Sequence, residues 1–218
     1  MKKTCLILFL GWLLLLAACR PDPVPHDTIV VLGDESYVIP MRDLIPDDWE
    51  GAFFEDFGVT PDEGYFPPVL EGEYRISKKQ FVASSLDYDL SDTLDMYLQI
   101  FNQHNRLASV AFYEGGTVWT ETAYLSGSGS RFALYFVETR ELVSYGTTHA
   151  HDRFVLITGK KGADGIHDLR FGSMILSASN GDDVYVGAFI PGWYFIYNDQ
   201  DGLSENCDFF GPSEEEDD

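Results

Sequence analysis

Residues 96–137 read MYLQIFNQHNRLASVAFYEGGTVWTETAYLSGSGSRFALYFV, and their spacing decides the fold. Met96, Leu98 and Ile100 alternate along the chain, and Asn102–Asn105 follows as a turn. Ala108, Val110 and Phe112 alternate before Gly115-Gly116, a pair suited to a tight hairpin. Trp119, Ala123 and Leu125 share one parity, Ser126–Ser130 turns the chain, and Phe132, Leu134 and Phe136 alternate again. A period of two sends successive side chains to opposite faces of a strand. One apolar parity repeated through short turns is the mark of consecutive antiparallel hairpins.

The same pattern continues toward the C-terminus. After a longer, more polar stretch, Phe154–Ile157 is continuously apolar, and Lys160–Gly165 turns the chain. Leu169, Phe171 and Ile175 share a face, Ser179–Asp183 turns, and Val184–Tyr197 forms the last strand or strand pair, bent at Pro191-Gly192. About nine strands with short loops are expected. A parallel strand order would need long crossover segments, and none is visible. The expected fold is therefore all-β. Its antiparallel meander can close into a barrel, which removes exposed edges, or form a two-sheet β-sandwich; the short sequential hairpins favour the barrel.

Toward the N-terminus the pattern is different. Met1 is followed by Lys2 and Lys3, the apolar run Leu6–Ala18 and then Cys19. A basic start and a short greasy stretch ending in small residues make a secretory signal, and the run falls short of the roughly 20 residues a membrane span needs. Leu16-Ala17-Ala18-Cys19 resembles the lipobox of bacterial lipoproteins. That resemblance implies cleavage before Cys19 and acylation of its thiol and amino group, hence a durable membrane anchor. Arg20 follows where an Asp would resemble an inner-membrane retention signal, so the expected location is the outer membrane, with the facing side open. Thr28–Leu32 and Tyr37–Ile39 are short β-prone pieces. A short helix is expected from Pro46 to Phe57, capped by Asp47, stopped at Gly58, and lying on the main domain through Trp49, Phe53, Phe54 and Phe57. Pro61–Pro68 reads as a second linker. The organisation expected is a signal over residues 1–18, tether and helix over 19–66, an all-β domain over 67–210 and an acidic, disordered tail over 211–218.

Charge excludes one class of partner. The signal carries two lysines and no acids, so its removal leaves 12 basic residues against 36 acidic ones, a net charge of −24. Such a surface repels nucleic acid. Aromatics at 15% and hydrophobics at 45% are enough for a core. Beyond Cys19 only Cys207 remains in the mature chain, flanked by Glu205 and Asp208, so no internal disulfide is possible and the thiol is expected to be inert.

Several short strings carry a further resemblance. Pro67-Pro68-Val69-Leu70-Glu71-Gly72-Glu73-Tyr74, Phe53-Phe54-Glu55-Asp56-Phe57-Gly58, Ser126-Gly127-Ser128-Gly129, Thr158-Gly159-Lys160 with Asp164-Gly165-Ile166, and Asp199-Gln200-Asp201-Gly202-Leu203 are similar to a group of Bacteroides-type lipoproteins. Gly72-x-Tyr74 followed by a meander also resembles the Gly-x-Trp opening of lipocalin-like barrels. The resemblance implies fold and compartment and carries over no catalytic motif.

Four sets of residues are candidate sites. His149 and His151 stand at i and i+2, a spacing that puts both on one strand face and suits a shared metal; a polar loop entering a strand is the plainer reading. Asp199 and Asp201 lie in Asn198-Asp199-Gln200-Asp201-Gly202, which departs from the calcium-loop pattern at Tyr197 and Asp208 and reads more simply as a tight turn after the last strand. Trp119, Trp193 and Tyr194, with Tyr197 beside them, could stack on a sugar or line a cavity, although strand aromatics usually pack a core. No nucleophile elbow or Cys–His pairing stands out. The function expected is a lipid-anchored binding module for a small apolar molecule or glycan, with no cofactor. A structural or accessory subunit of an envelope complex is the alternative, and a hydrolase ranks below both.

Overall fold

The structure is a computed structural model. It describes residues 38–77, 79–85, 95–114, 116–144, 147–178 and 190–210, with backbone alone for 142–144 and 147–149. Residues 1–37 and the tail lie outside the described set, so the signal, Cys19, the piece Thr28–Leu32 and the acidic terminus do too. So does the stretch 179–189, with the expected turn at Ser179–Asp183.

Ten strands form one sheet: β1 Gly72–Ile76, β2 Lys79–Ser84, β3 Met96–His104, β4 Leu107–Glu114, β5 Thr117–Ser128, β6 Arg131–Ser144, β7 Thr147–Lys161, β8 Gly165–Ala178, β9 Tyr194–Asp199 and β10 Leu203–Asn206. Each described strand pairing is antiparallel. The meander closes on itself, because β10 pairs with β1 on one side and with the start of β8 on the other. Eight strands thus make a ring. β8 divides its length between two neighbours: Gly165–His167 pairs with β10 and Arg170–Met174 with β9. β9 and β2 therefore leave the ring as a two-strand flap. The expected meander is what forms, as one closed sheet and not as two stacked ones.

The parity read from the sequence points into the ring. Leu98, Ile100, Val110, Phe112, Ala123, Leu125, Phe132, Leu134, Phe136, Val155 and Ile157 are all buried there, with Trp119 and Phe171 packed against them. Each fully buried aliphatic or aromatic side chain contributes about 1.5–3 kcal/mol, so this interior dominates stability. Large side chains fill it.

The opposite face of β6 to β9 is buried as well. Ala133, Tyr135, Phe154, Leu156, Met174, Tyr194 and Ile196 meet Met41, Ile45, Phe53 and Phe57. The last four come from a 3-10 turn, Met41–Leu44, and from helix α1, Asp47–Phe57. This second layer explains why Phe154–Ile157 has no polar parity. Helix α1 ends where expected, at Gly58, whose φ of +66° gives the left-handed cap that favours glycine. Its start differs: Pro46 holds the N-cap position, no side chain caps it, and Asp47 is the first helical residue. A proline fits there because its fixed φ matches helix entry, and the acids of the first turn favour the positive end of the helix dipole. Gly172 of β8 lies directly under the helix, where a Cβ would come within 2.8 Å of the Phe57 ring.

Three other expectations are corrected. The longer loop before Phe154 is strand: β6 and β7 pair from Arg131↔Lys160 to Ser144↔Thr147 as one long hairpin. Polar outward side chains made that strand look like loop. The stretch Pro61–Pro68 is a strap and not a free linker. Gly127 accepts from the Phe66 amide and donates to Gly64, while the Asp62 carboxylate accepts from Ser128 and the Ser126 hydroxyl donates to the Asp62 carbonyl. The strand count is ten, because β2 and β10 are short and polar and lack a clear alternation.

Candidate functional site

The strap and the outer sheet face enclose a cleft of about 550 Å³. Gly58–Asp62 forms one wall. The floor is Thr158–Lys160 of β7, Asp168–Arg170 of β8 and Asn198-Asp199 at the end of β9, with Arg131 and Phe132 of β6 at one side. A register irregularity between Thr158 and Lys160 shapes this floor, and Asp168 adopts a φ of +52° beside it. Such a bulge re-aims side chains out of the regular pleat. Here it turns Lys160 toward Asp168, and the ammonium donates to the carboxylate at 2.6 Å. That bond holds the Asp168 carboxyl below its ordinary range.

Arg170 is anchored from two directions. Its Nε donates to Asn198 Oδ1 at 2.7 Å, and its Nη1 donates to the Phe57 carbonyl at the end of α1. Burial lowers its pKa, yet a guanidinium remains charged. Asp199 sits deeper. It is 5% exposed, its Oδ2 accepts from the Ser204 hydroxyl at 2.7 Å, and its Oδ1 has no hydrogen-bond partner. Burial first, and the adjacent Asp201 carboxylate next, push the Asp199 carboxyl up to about 6. The cleft thus combines fixed cations, carboxylates and apolar wall from Val59, Pro61 and Leu169. Mixed polar groups over an apolar wall suit a neutral, hydroxyl-rich ligand. None of the groups is placed as a nucleophile beside a base.

A second charged group lies inside the ring. The Glu138 side chain is fully buried and paired with two arginines: Arg153 Nε donates to its Oε1 at 2.5 Å, and Arg140 Nε stands 3.0 Å from its Oε2. Burial, then the Glu138 charge, raises the Glu121 pKa, and burial lowers that of Arg140. Buried charges of this kind survive only when paired.

The aromatic candidates are not brought together. Trp119 faces the ring interior, stacked on Phe112 at 5.4 Å, with the Arg140 guanidinium 3.7 Å from its ring centroid. Phe112 and Arg140 come from the strands on either side of β5, so the indole is flanked on both sides. Tyr194 belongs to the outer layer; its hydroxyl donates to Asp56 of α1 at 2.5 Å and its ring meets Phe53 edge-on. Trp193 lies at the turn before β9, edge-on to Phe195. Tyr197 packs on Phe81 of β2.

His149 and His151 are both on β7, in strand and not in loop. The structure places the His151 ring in a buried position beside Arg140 and Arg153, and burial with the Arg153 charge lowers its pKa. The His149 side chain lies outside the described set. Asp201 accepts from the Ser77 hydroxyl at 2.8 Å and from the Leu203 amide at 3.1 Å, in a turn that leads into β10 and does not end the sheet. Among the described residues no three His, Cys, Asp or Glu side chains gather as metal ligands. Burial pushes the Cys207 thiol up to about 11, which suits an inert residue. Among the described residues no helix is long and apolar enough to cross a membrane.

The sequence reading missed the cleft. Lys160, Asp168 and Arg170 sit in a turn and on the outer parity of a strand, and nothing in their spacing announced that a strap from residues 58–62 would roof them. No protein-family model, curated protein or solved structure matches this chain.

Proposed function

We propose that this chain is a lipid-anchored envelope protein, tethered through Cys19 to the outer membrane, that binds a glycan or similar hydroxyl-rich small molecule on its outer surface. One observation carries the binding part: the cleft of about 550 Å³ holds convergent polar groups, while large side chains fill the ring interior. Its size is within the range of about 300–1,000 Å³ common to small-molecule sites. The filled interior leaves the alternative ligand, an apolar molecule inside the ring, without support.

A titration of the soluble chain with neutral oligosaccharides tests the reading, followed by calorimetry. Lys160→Ala and Arg131→Ala should each weaken binding by about tenfold, or about 1.4 kcal/mol. No binding across host and plant glycans, or equal binding by both variants, would overturn it. The anchor is tested separately. Cys19→Ala should abolish fatty-acid labelling and release the protein from membranes. Attachment of that variant that resists carbonate would refute the lipoprotein reading.

A second reading, an accessory subunit of an envelope complex, is favoured by an apolar patch on the strap. Tyr65, Phe66 and Val69 are 73%, 84% and 71% exposed, side by side around Pro67. Such clustering on a surface is uncommon without a partner.

A further inference from the structure

The ring has one seam. Among the described residues the β5–β6 ladder contains only Tyr124–Ser128 against Arg131–Tyr135. Both strands continue past it: β5 begins at Thr117 and β6 runs to Ser144. Their outer neighbours show no such gap, since β4 pairs β5 back to Thr117 and β7 pairs β6 out to Ser144. Beyond Tyr124 and Tyr135 each strand is therefore hydrogen-bonded on one side only.

The tight connection Gly129-Ser130 fixes which groups are left over. With Ser128 opposite Arg131, odd residues of β6 and even residues of β5 direct their backbone groups at each other. Continued past the last pair, that parity leaves the N–H and C=O of Val137, Thr139 and Glu141, and of Thr120 and Thr122, facing the seam. All five residues are exposed. Bare edges of this kind template an added strand.

The described chain enters at the foot of this seam. The Ile39 carbonyl accepts from the hydroxyl of Tyr135, the last paired residue of β6, at 3.1 Å. Six residues upstream of Ile39 ends the stretch Thr28-Ile29-Val30-Val31-Leu32, whose β-branched run is the most strand-prone sequence before β1. Six extended residues reach about 20 Å, enough to carry that stretch along the seam. The chain already uses this device elsewhere. Where β4 stops short, the bare edge of β5 at Gly127 is covered by the strap through a parallel bridge to Tyr65.

We propose that Thr28–Leu32 docks into the seam between β5 and β6 as a further strand, antiparallel to β6, and closes the ring. The binding reading above neither requires this nor follows from it. The occupant is the protein's own chain because the entry point is pinned at Tyr135, which makes the local concentration of this segment far higher than that of any free partner.

Amide hydrogen exchange by NMR on the chain from residue 19 onward, carrying Cys19→Ala for solubility, tests it. Val137, Thr139 and Glu141 should be protected. The pair Val30→Pro and Val31→Pro removes two donors and the extended register, and should speed exchange at those three amides by about a hundredfold or more. Protection at Ala133 and Phe154 should hold, which shows that the variant is folded. Rapid exchange of the three amides in the parent chain would overturn the proposal. So would equal protection in the proline variant, or protection that rises with protein concentration, which would point to a second copy.

Discussion

The two faces of β6 and β7 are both buried, but they are held in different ways. Phe132, Leu134, Phe136, Val155 and Ile157 point into the ring, and their partners are other strands already tied to one another by backbone hydrogen bonds. Ala133, Tyr135, Phe154 and Leu156 point outward, and their partners are one 3-10 turn and one helix with no ladder to the sheet. The outer layer is instead fastened by side-chain bonds: Tyr135 to the Ile39 carbonyl, Tyr194 to Asp56, and Arg170 to the Phe57 carbonyl. The inner layer is thus part of the cooperative fold, while the outer layer is a docked lid. The candidate cleft lies on the outer side, where the lid runs into the strap.

The largest effect should come from the interior. Leu134 is fully buried, and Leu134→Ala should cost about 2–5 kcal/mol in urea unfolding, seen as one shifted transition. Phe53→Ala removes comparable bulk from the outer layer. It should move the global transition less and speed protease cutting near Gly58 more, because α1 can leave without opening the ring. Equal global losses and unchanged proteolysis would erase the distinction between the layers.

A smaller effect sharpens it. Tyr194→Phe keeps the ring against Phe53 and deletes only the hydroxyl that donates to Asp56. The expected loss is about 1 kcal/mol. It should appear as easier release of α1, read by exchange of the helix amides, with strand amides unaffected. Faster exchange in β6 and β7 would show that the two layers unfold together.

The most modest effect is electrostatic and lies at the cleft floor. Asp199 has a folded pKa of about 6 against an ordinary value of 3.8, so the folded state binds the proton more tightly than the unfolded one. Stability from this group is therefore present at low pH and is lost as pH rises from about 4 to about 6. Asp201, held low by Ser77, acts in the opposite sense but at lower pH. Asp199→Asn should flatten the pH dependence of the melting temperature in that window. Identical profiles for parent and variant would mean that Asp199 does not titrate there.

The inner layer was legible because strand alternation is local. Leu98, Val110, Leu125 and Leu134 announced a face by their parity alone, and the structure buries each of them inside the ring. Helix α1 was legible from its apolar spacing, its acids and Gly58. The hairpin of β6 and β7 was only half legible, since its far half is polar outside and charged inside, around Glu138. The site was less legible than the fold. His151 and Trp119 looked like candidates by type, yet one lies buried beside Arg140 and Arg153, and the other lies between Phe112 and Arg140.

By itself, then, the sequence determined the strands, their antiparallel order, the helix and the acidic surface. These follow from side-chain period, turn residues and charge, which act over a few residues. Only the tertiary structure decided that β10 closes the meander against β8, and that β9 and β2 leave it. It alone decided that the strap roofs Lys160, Asp168 and Arg170. Those choices join residues about 40 to more than 100 positions apart, and they depend on how twisted strands meet in space, which no local pattern encodes.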